Sequence, residues 1–140
     1  MSKYFSLKEM TASTTASNLK INNTPGAEER KHLEELMEVL DEVREAYGGP
    51  IRVTSGYRCS KLNKLVNGAA TSVHKIGYAA DLQPVDGNIK RLFFICQKVL
   101  PEVGFDQLLY EKSGSSIWVH VGLYNNEHKQ RRQIKEITVK

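Results

Sequence analysis

Between residues 33 and 47 apolar side chains recur at three- and four-residue steps, with Leu33, Leu36, Met37, Leu40, Val43 and Tyr47 on one stripe. That period predicts an amphipathic helix with a core-facing stripe, stopped by Gly48, Gly49 and Pro50. Ile51 to Thr54 alternates as a short strand, and Ser60 to Val66 predicts a brief helix before a loop at Asn67 and Gly68. Tyr78 to Val85 reads as a strand that closes on a turn at Asp86 and Gly87. Ile89, Leu92, Phe93, Cys96 and Leu100 then mark a second amphipathic helix, stopped by Pro101. FDQLLYE and SIWVHVGL are strand-like runs joined by Lys112, Ser113, Gly114 and Ser115, a hairpin with a four-residue loop. Pairing Glu111 with Ser116 sets Leu109 opposite Trp118 and Gln107 opposite His120, and the two-residue side-chain repeat then puts Glu111 and His120 on one face. Ile134 to Val139 predicts an edge strand. Near the start, Ser6 and Glu9 have capping-box spacing, so Tyr4 to Ala16 reads as a short helix followed by a Ser/Thr-rich surface loop, packing as an arm.

The 140 residues suit one domain, 1–140, and 40% apolar with 26% charged residues argues for a packed core over disorder. No window approaches the roughly eighteen apolar residues of a membrane span, and MSKYFSLKEM lacks the apolar run of a signal peptide. The product is therefore expected in the cytoplasm until it is released. Of the net charge of +4, five basic and two acidic residues from Glu127 onward supply +3. That tail reads as a solvated edge kept soluble by Lys and Arg, although it can also attract an anionic polymer. Cys59 and Cys96 are too few and too far apart for a disulfide framework or a metal knuckle, and both read as reduced thiols.

Of four histidines, His32 and His128 lie in polar surroundings and read as surface residues. His74 and His120 keep other company. With Asp81 they offer two imidazoles and one carboxylate, the donor set of a catalytic zinc ion that keeps a position open for water. A single carboxylate leaves that centre a net positive charge, which lowers the pKa of bound water toward about 7. His74 and Asp81 are seven residues apart and would fall on opposite faces of one strand, so the chain must turn between them. Gly77 supplies the freedom for that turn, and Ala79 is too small to crowd an ion.

Ser72-Val-His74-Lys-Ile-Gly77-Tyr-Ala79-Ala-Asp81 followed by Trp118-Val-His120 resembles the zinc D-Ala-D-Ala carboxypeptidase family of bacterial and phage wall peptidases. Val53-Thr54-Ser55-Gly56-Tyr57-Arg58, Leu62-Asn63, Phe105-Asp106-Gln107 and Tyr4-Phe5-Ser6-Leu7-Lys8-Glu9 resemble its phage-type branch, so the similarity runs nearly end to end. The resemblance implies a small α+β domain of the hedgehog/DD-peptidase-like fold, a central antiparallel sheet flanked by helices. It also implies one Zn2+ per chain, held by His74, Asp81 and His120. Several relatives carry a carboxylate three residues before the last histidine, where this chain has Ile117. Glu111 is the substitute, since it shares the face of His120 and the related hedgehog site resembles this YE before an HxH; Asp106 is the alternative base. Trp118 stands where some relatives have another histidine. Arg58 is assigned by resemblance to the oxyanion or to a terminal carboxylate, with Ser72 and Gln107 on the substrate side. Cys59 should point away in an extended chain and is not counted as a ligand.

The leading reading is therefore a zinc peptidase cutting D-amino-acid-containing peptide bonds of peptidoglycan, as a DD- or LD-endopeptidase, which is preferred, or a D-Ala-D-Ala carboxypeptidase. It would act as a monomer, as a phage or prophage lysis enzyme or equally as a virion-borne wall-penetrating one. The rival is a non-catalytic, zinc-stabilised wall-binding module, which the presence of Arg58, Ser72 and Glu111 together disfavours. Specific nucleic-acid binding lacks an aromatic platform interleaved with basic residues.

Overall fold

The computed structural model describes residues 2–138. Two short helices open the chain, α1 (Leu7–Thr11) and α2 (Thr14–Asn18). The expected Ser/Thr-rich loop is thus helical, because Ser13 caps it by accepting from the Ala16 N–H at 3.1 Å. Ser6 caps α1 in the same way through the Glu9 N–H. The long helix α3 (Ala27–Tyr47) buries all six residues of the predicted stripe and ends at Gly48, which takes a left-handed φ of 77°. The second long helix, α5 (Ile89–Val103), packs against it through Leu92, Cys96 and Leu100. Pro101 does not stop α5 as predicted. It sits in the last turn and removes only its own N–H, Gln97 one turn back is exposed to water, and the Gly104 N–H closes the helix on Leu100 O at 2.8 Å.

Between and after the helices run β1 (Ile51–Ser55), β2 (Ala79–Pro84), β3 (Gln107–Ser113), β4 (Ser116–Gly122) and β5 (Gln133–Thr138), in sheet order β1-β2-β4-β3-β5. The short helix α4 (Ser60–Leu65) and a 3-10 turn, Val73–Ile76, lie between β1 and β2. The first four strands of the sheet pair antiparallel, as expected, and β5 adds a parallel edge beside β3, giving a mixed sheet. Its direction follows from the route: the chain leaves β4 at Gly122, opposite Gln107, passes the start of β3 and runs alongside it from Gln133. Val139, the predicted end of this strand, lies outside the described residues.

The hairpin departs from prediction by two residues. Gly114, at φ 61°, permits a two-residue loop, so Ser113 pairs with Ser116, Glu111 with Trp118 and Leu109 with His120. Because the slip is even, Glu111 and His120 still share one face.

Candidate metal centre and cleft

The core beneath β2 and β4 fixes the strands, and the strands aim the polar side chains. Asp81 and His120 are direct cross-strand partners, Asp81 on β2 and His120 on β4. His74 comes from the 3-10 turn, whose start is capped by Ser72 accepting from the His74 N–H at 3.3 Å. Gly77 ends that turn at φ 86°, and a Cβ there would lie 2.6 Å from the Glu29 carbonyl oxygen, so conformation and space both demand glycine.

The three side chains converge. Asp81 Oδ1 lies 3.0 Å from His120 Nδ1 and 3.4 Å from His74 Nε2, and one donor atom from each residue falls within 4.8 Å of the others. His74 and His120 are buried, and Asp81 is nearly so. Gly56 O accepts from His74 Nδ1 at 2.8 Å. A carbonyl only accepts, so Nδ1 donates to it and Nε2 is the nitrogen that faces Asp81, the orientation of a metal-binding imidazole. Burial raises the Asp81 pKa, but the charge and hydrogen bonds of the two imidazoles outweigh it and hold the carboxylate well below its ordinary range. For His120, burial favours the neutral ring, and the bond to Asp81 with the charges of Asp81 and Glu111 overrides it upward. Two imidazoles and an ionised carboxylate fit zinc in kind and number.

Gly56 carries a second constraint. A Cβ on it would meet the Met10 carbonyl oxygen at 2.1 Å, and Met10 O accepts from the Tyr57 N–H at 2.8 Å. Gly56→Ala must push the arm off β1, and we expect a loss of about 2–3 kcal/mol, read as a lower urea midpoint at unchanged slope.

Glu111 lies 3.8 Å from His120 Nδ1, and its Oε1 accepts from Trp118 Nε1 at 3.0 Å. The indole therefore fixes the carboxylate. Asp106, the alternative base, is buried and occupied: it accepts from the Arg131 N–H, Nε and Nη2 at 2.9, 2.8 and 2.7 Å. Arg58 lines the same cleft as the trio, its own N–H bonds His74 O at 3.0 Å, and its Nε is buried without a partner among the described residues. Burial lowers the Arg58 pKa against the pull of Asp81 and Glu111. Ser72 and Gln107 also line the cleft, and Gln107 Nε2 donates to Gln133 Oε1 at 3.0 Å.

Cys59 Sγ accepts from the Leu62 N–H at the start of α4 and is not among the residues that line the cleft, and Cys96 lies in the core, where burial pushes its thiol up to about 12. His128 is exposed, as expected, and stacks on Tyr124. His32 is not a plain surface residue: it stacks on Tyr78 at 3.9 Å and its Nδ1 lies 2.6 Å from Ile76 O, which ties α3 to the turn that carries His74. Sequence reasoning also missed Asn23. Its Nδ2 donates to Thr11 O and Tyr57 O and its Oδ1 accepts from the Cys59 N–H, bracketing Arg58 in the chain.

The trio lines a cleft of about 930 Å³, together with Ser13 and Thr14 of the arm, Thr71, Ser72, Trp118 and Arg131. Residues 3–122 match the family described as Peptidase M15. None of the curated proteins matches the chain.

Proposed function

The chain belongs to the M15 family of zinc peptidases, and on that premise we propose that it hydrolyses D-amino-acid-containing bonds in peptidoglycan peptides, cutting within the stem or cross-link. One observation carries the reading: His74 Nε2, Asp81 Oδ1 and His120 Nδ1 meet on the lining of a cleft that also presents Glu111 and Arg58.

His74, Asp81 and His120 would hold one zinc ion, which when bound would supply Lewis acidity at the reacting centre. Glu111, steadied by Trp118, takes the proton of the water and returns it to the leaving amine. Arg58 directs its guanidinium at the oxygen that gains charge, and its desolvated setting strengthens that interaction. Ser72 and Gln107 contact the peptide. Residues 1–140 act as one domain, in a lysis enzyme that stays in the cytoplasm until host-cell lysis. No helix among the described residues is long and apolar enough to cross a membrane.

Internal cutting is preferred because a lysis enzyme must break links that bear load, whereas trimming a terminal D-Ala leaves the mesh intact. Mass spectrometry of muropeptides from digested sacculi tests this. Cross-linked dimers should disappear in favour of shortened monomers; free D-alanine as the main product, with dimers untouched, would overturn it.

A further inference from the structure

Arg131 lies beyond the residues that match the peptidase family, yet it lines the cleft. Its position is unusually well determined for a side chain that is 42% exposed. The buried carboxylate of Asp106 receives Nε and Nη2 as a fork and the Arg131 backbone N–H as a third bond. That uses one edge of the guanidinium. Among the described residues no hydrogen bond engages Nη1, so the other edge keeps donors for a ligand. A guanidinium already held in place loses little side-chain freedom on binding, and its planar fork matches a carboxylate.

The sheet gives the location. Asp106, which holds Arg131, immediately precedes β3 and is three residues from Leu109, the partner of His120. Three residues of extended chain span about 10 Å, close to the length of a tripeptide in an extended substrate. The second cleft arginine, Arg58, is bound through its backbone to His74 and so belongs to the metal end.

We infer that Arg131, clasped by Asp106, is a carboxylate subsite that selects peptides bearing a free acidic group about three residues from the bond that is cut. The inference rests on the peptidase reading above, and its test separates the two. The probes are two D-amino-acid-containing pentapeptides with amidated C-termini, one with a free side-chain carboxyl and one with that carboxyl amidated. The amidated ends leave Arg58 no terminal carboxylate to read. Calorimetric binding to zinc-loaded Glu111→Gln protein, which retains the peptide uncut, should favour the free carboxyl by about tenfold. Adding Asp106→Asn with Arg131→Gln, which removes both partners and leaves no buried charge alone, should bring that ratio to about one. Arg131→Lys keeps a positive charge on Asp106 without the fork; it should give an intermediate ratio and serves if the double change fails to fold. Equal binding of the two peptides to the Glu111→Gln protein, or a preference that survives the Arg131 changes, would overturn the subsite alone. Binding of neither peptide would overturn it together with the peptidase reading.

Discussion

Replacing His74, Asp81 or His120 by alanine should take the purified chain from about one zinc per molecule to nearly none. Three protein donors leave no redundancy: with two, the ion has no closed attachment and exchanges into buffer. The geometry makes each replacement informative in its own way. Asp81 Oδ1 is the atom that both imidazoles face, so Asp81→Ala removes the shared anion and leaves two rings whose centroids are 5.2 Å apart. His74→Ala also frees the Gly56 carbonyl, and His120→Ala empties the β4 position opposite both Asp81 and Leu109. Elemental analysis after dialysis measures the metal, and circular dichroism checks that the fold persists. Full occupancy in any one variant, with a normal fold, would strike that residue from the ligand set.

Glu111→Gln should leave zinc content and folding intact and lower turnover by at least about a hundredfold, the usual size of a general-base contribution. Glutamine has the same shape and an oxygen that can keep the Trp118 bond, so the change removes basicity and little else. Asp106→Asn should cost far less in turnover, because its carboxylate is engaged by Arg131 and buried away from the cleft lining. An exchange of these two outcomes would make Asp106 the base. If neither change affects turnover, neither residue is the base; a zinc-loaded unaltered chain that binds wall peptides with no turnover would instead make a non-catalytic wall-binding module the better description.

Most of the elements were legible because their signals are periodic, and His74, Asp81 and His120 because their donor set and local motif stand out, whereas α2 reads as loop. The stripe from Leu33 to Tyr47 repeats every three or four residues and is buried throughout. The pairing of Glu111 with the face of His120 depends only on parity, which survived a two-residue error in the hairpin. That error came from Gly114, whose left-handed conformation tightens the loop, a choice that composition alone does not dictate. Other features depend on contacts between distant segments. Asn23 meets Thr11, Tyr57 and Cys59; His32 meets Tyr78; Arg131 meets Asp106. No periodicity announces such a partner. Glu111 follows from hairpin parity, and the geometry brings that residue to 3.8 Å from His120 Nδ1.

The exposed margin of the sheet bears on how the molecule behaves when crowded. β5 (Gln133–Thr138) ends the sheet, with Ile134 and Ile137 at 44% and 37% exposure, a composition that invites another strand to add on. Two copies of β5 joined antiparallel about a two-fold axis must centre on one residue that meets itself. Centring on Lys135 or Glu136 gives the longest overlap, five of the six residues, and sets lysine against lysine or glutamate against glutamate. Moving the centre to Ile134 or Ile137 relieves that repulsion and shortens the overlap to three residues. The adjacent charges Lys135 and Glu136 between the two isoleucines therefore disfavour edge-to-edge pairing at the margin the fold leaves open.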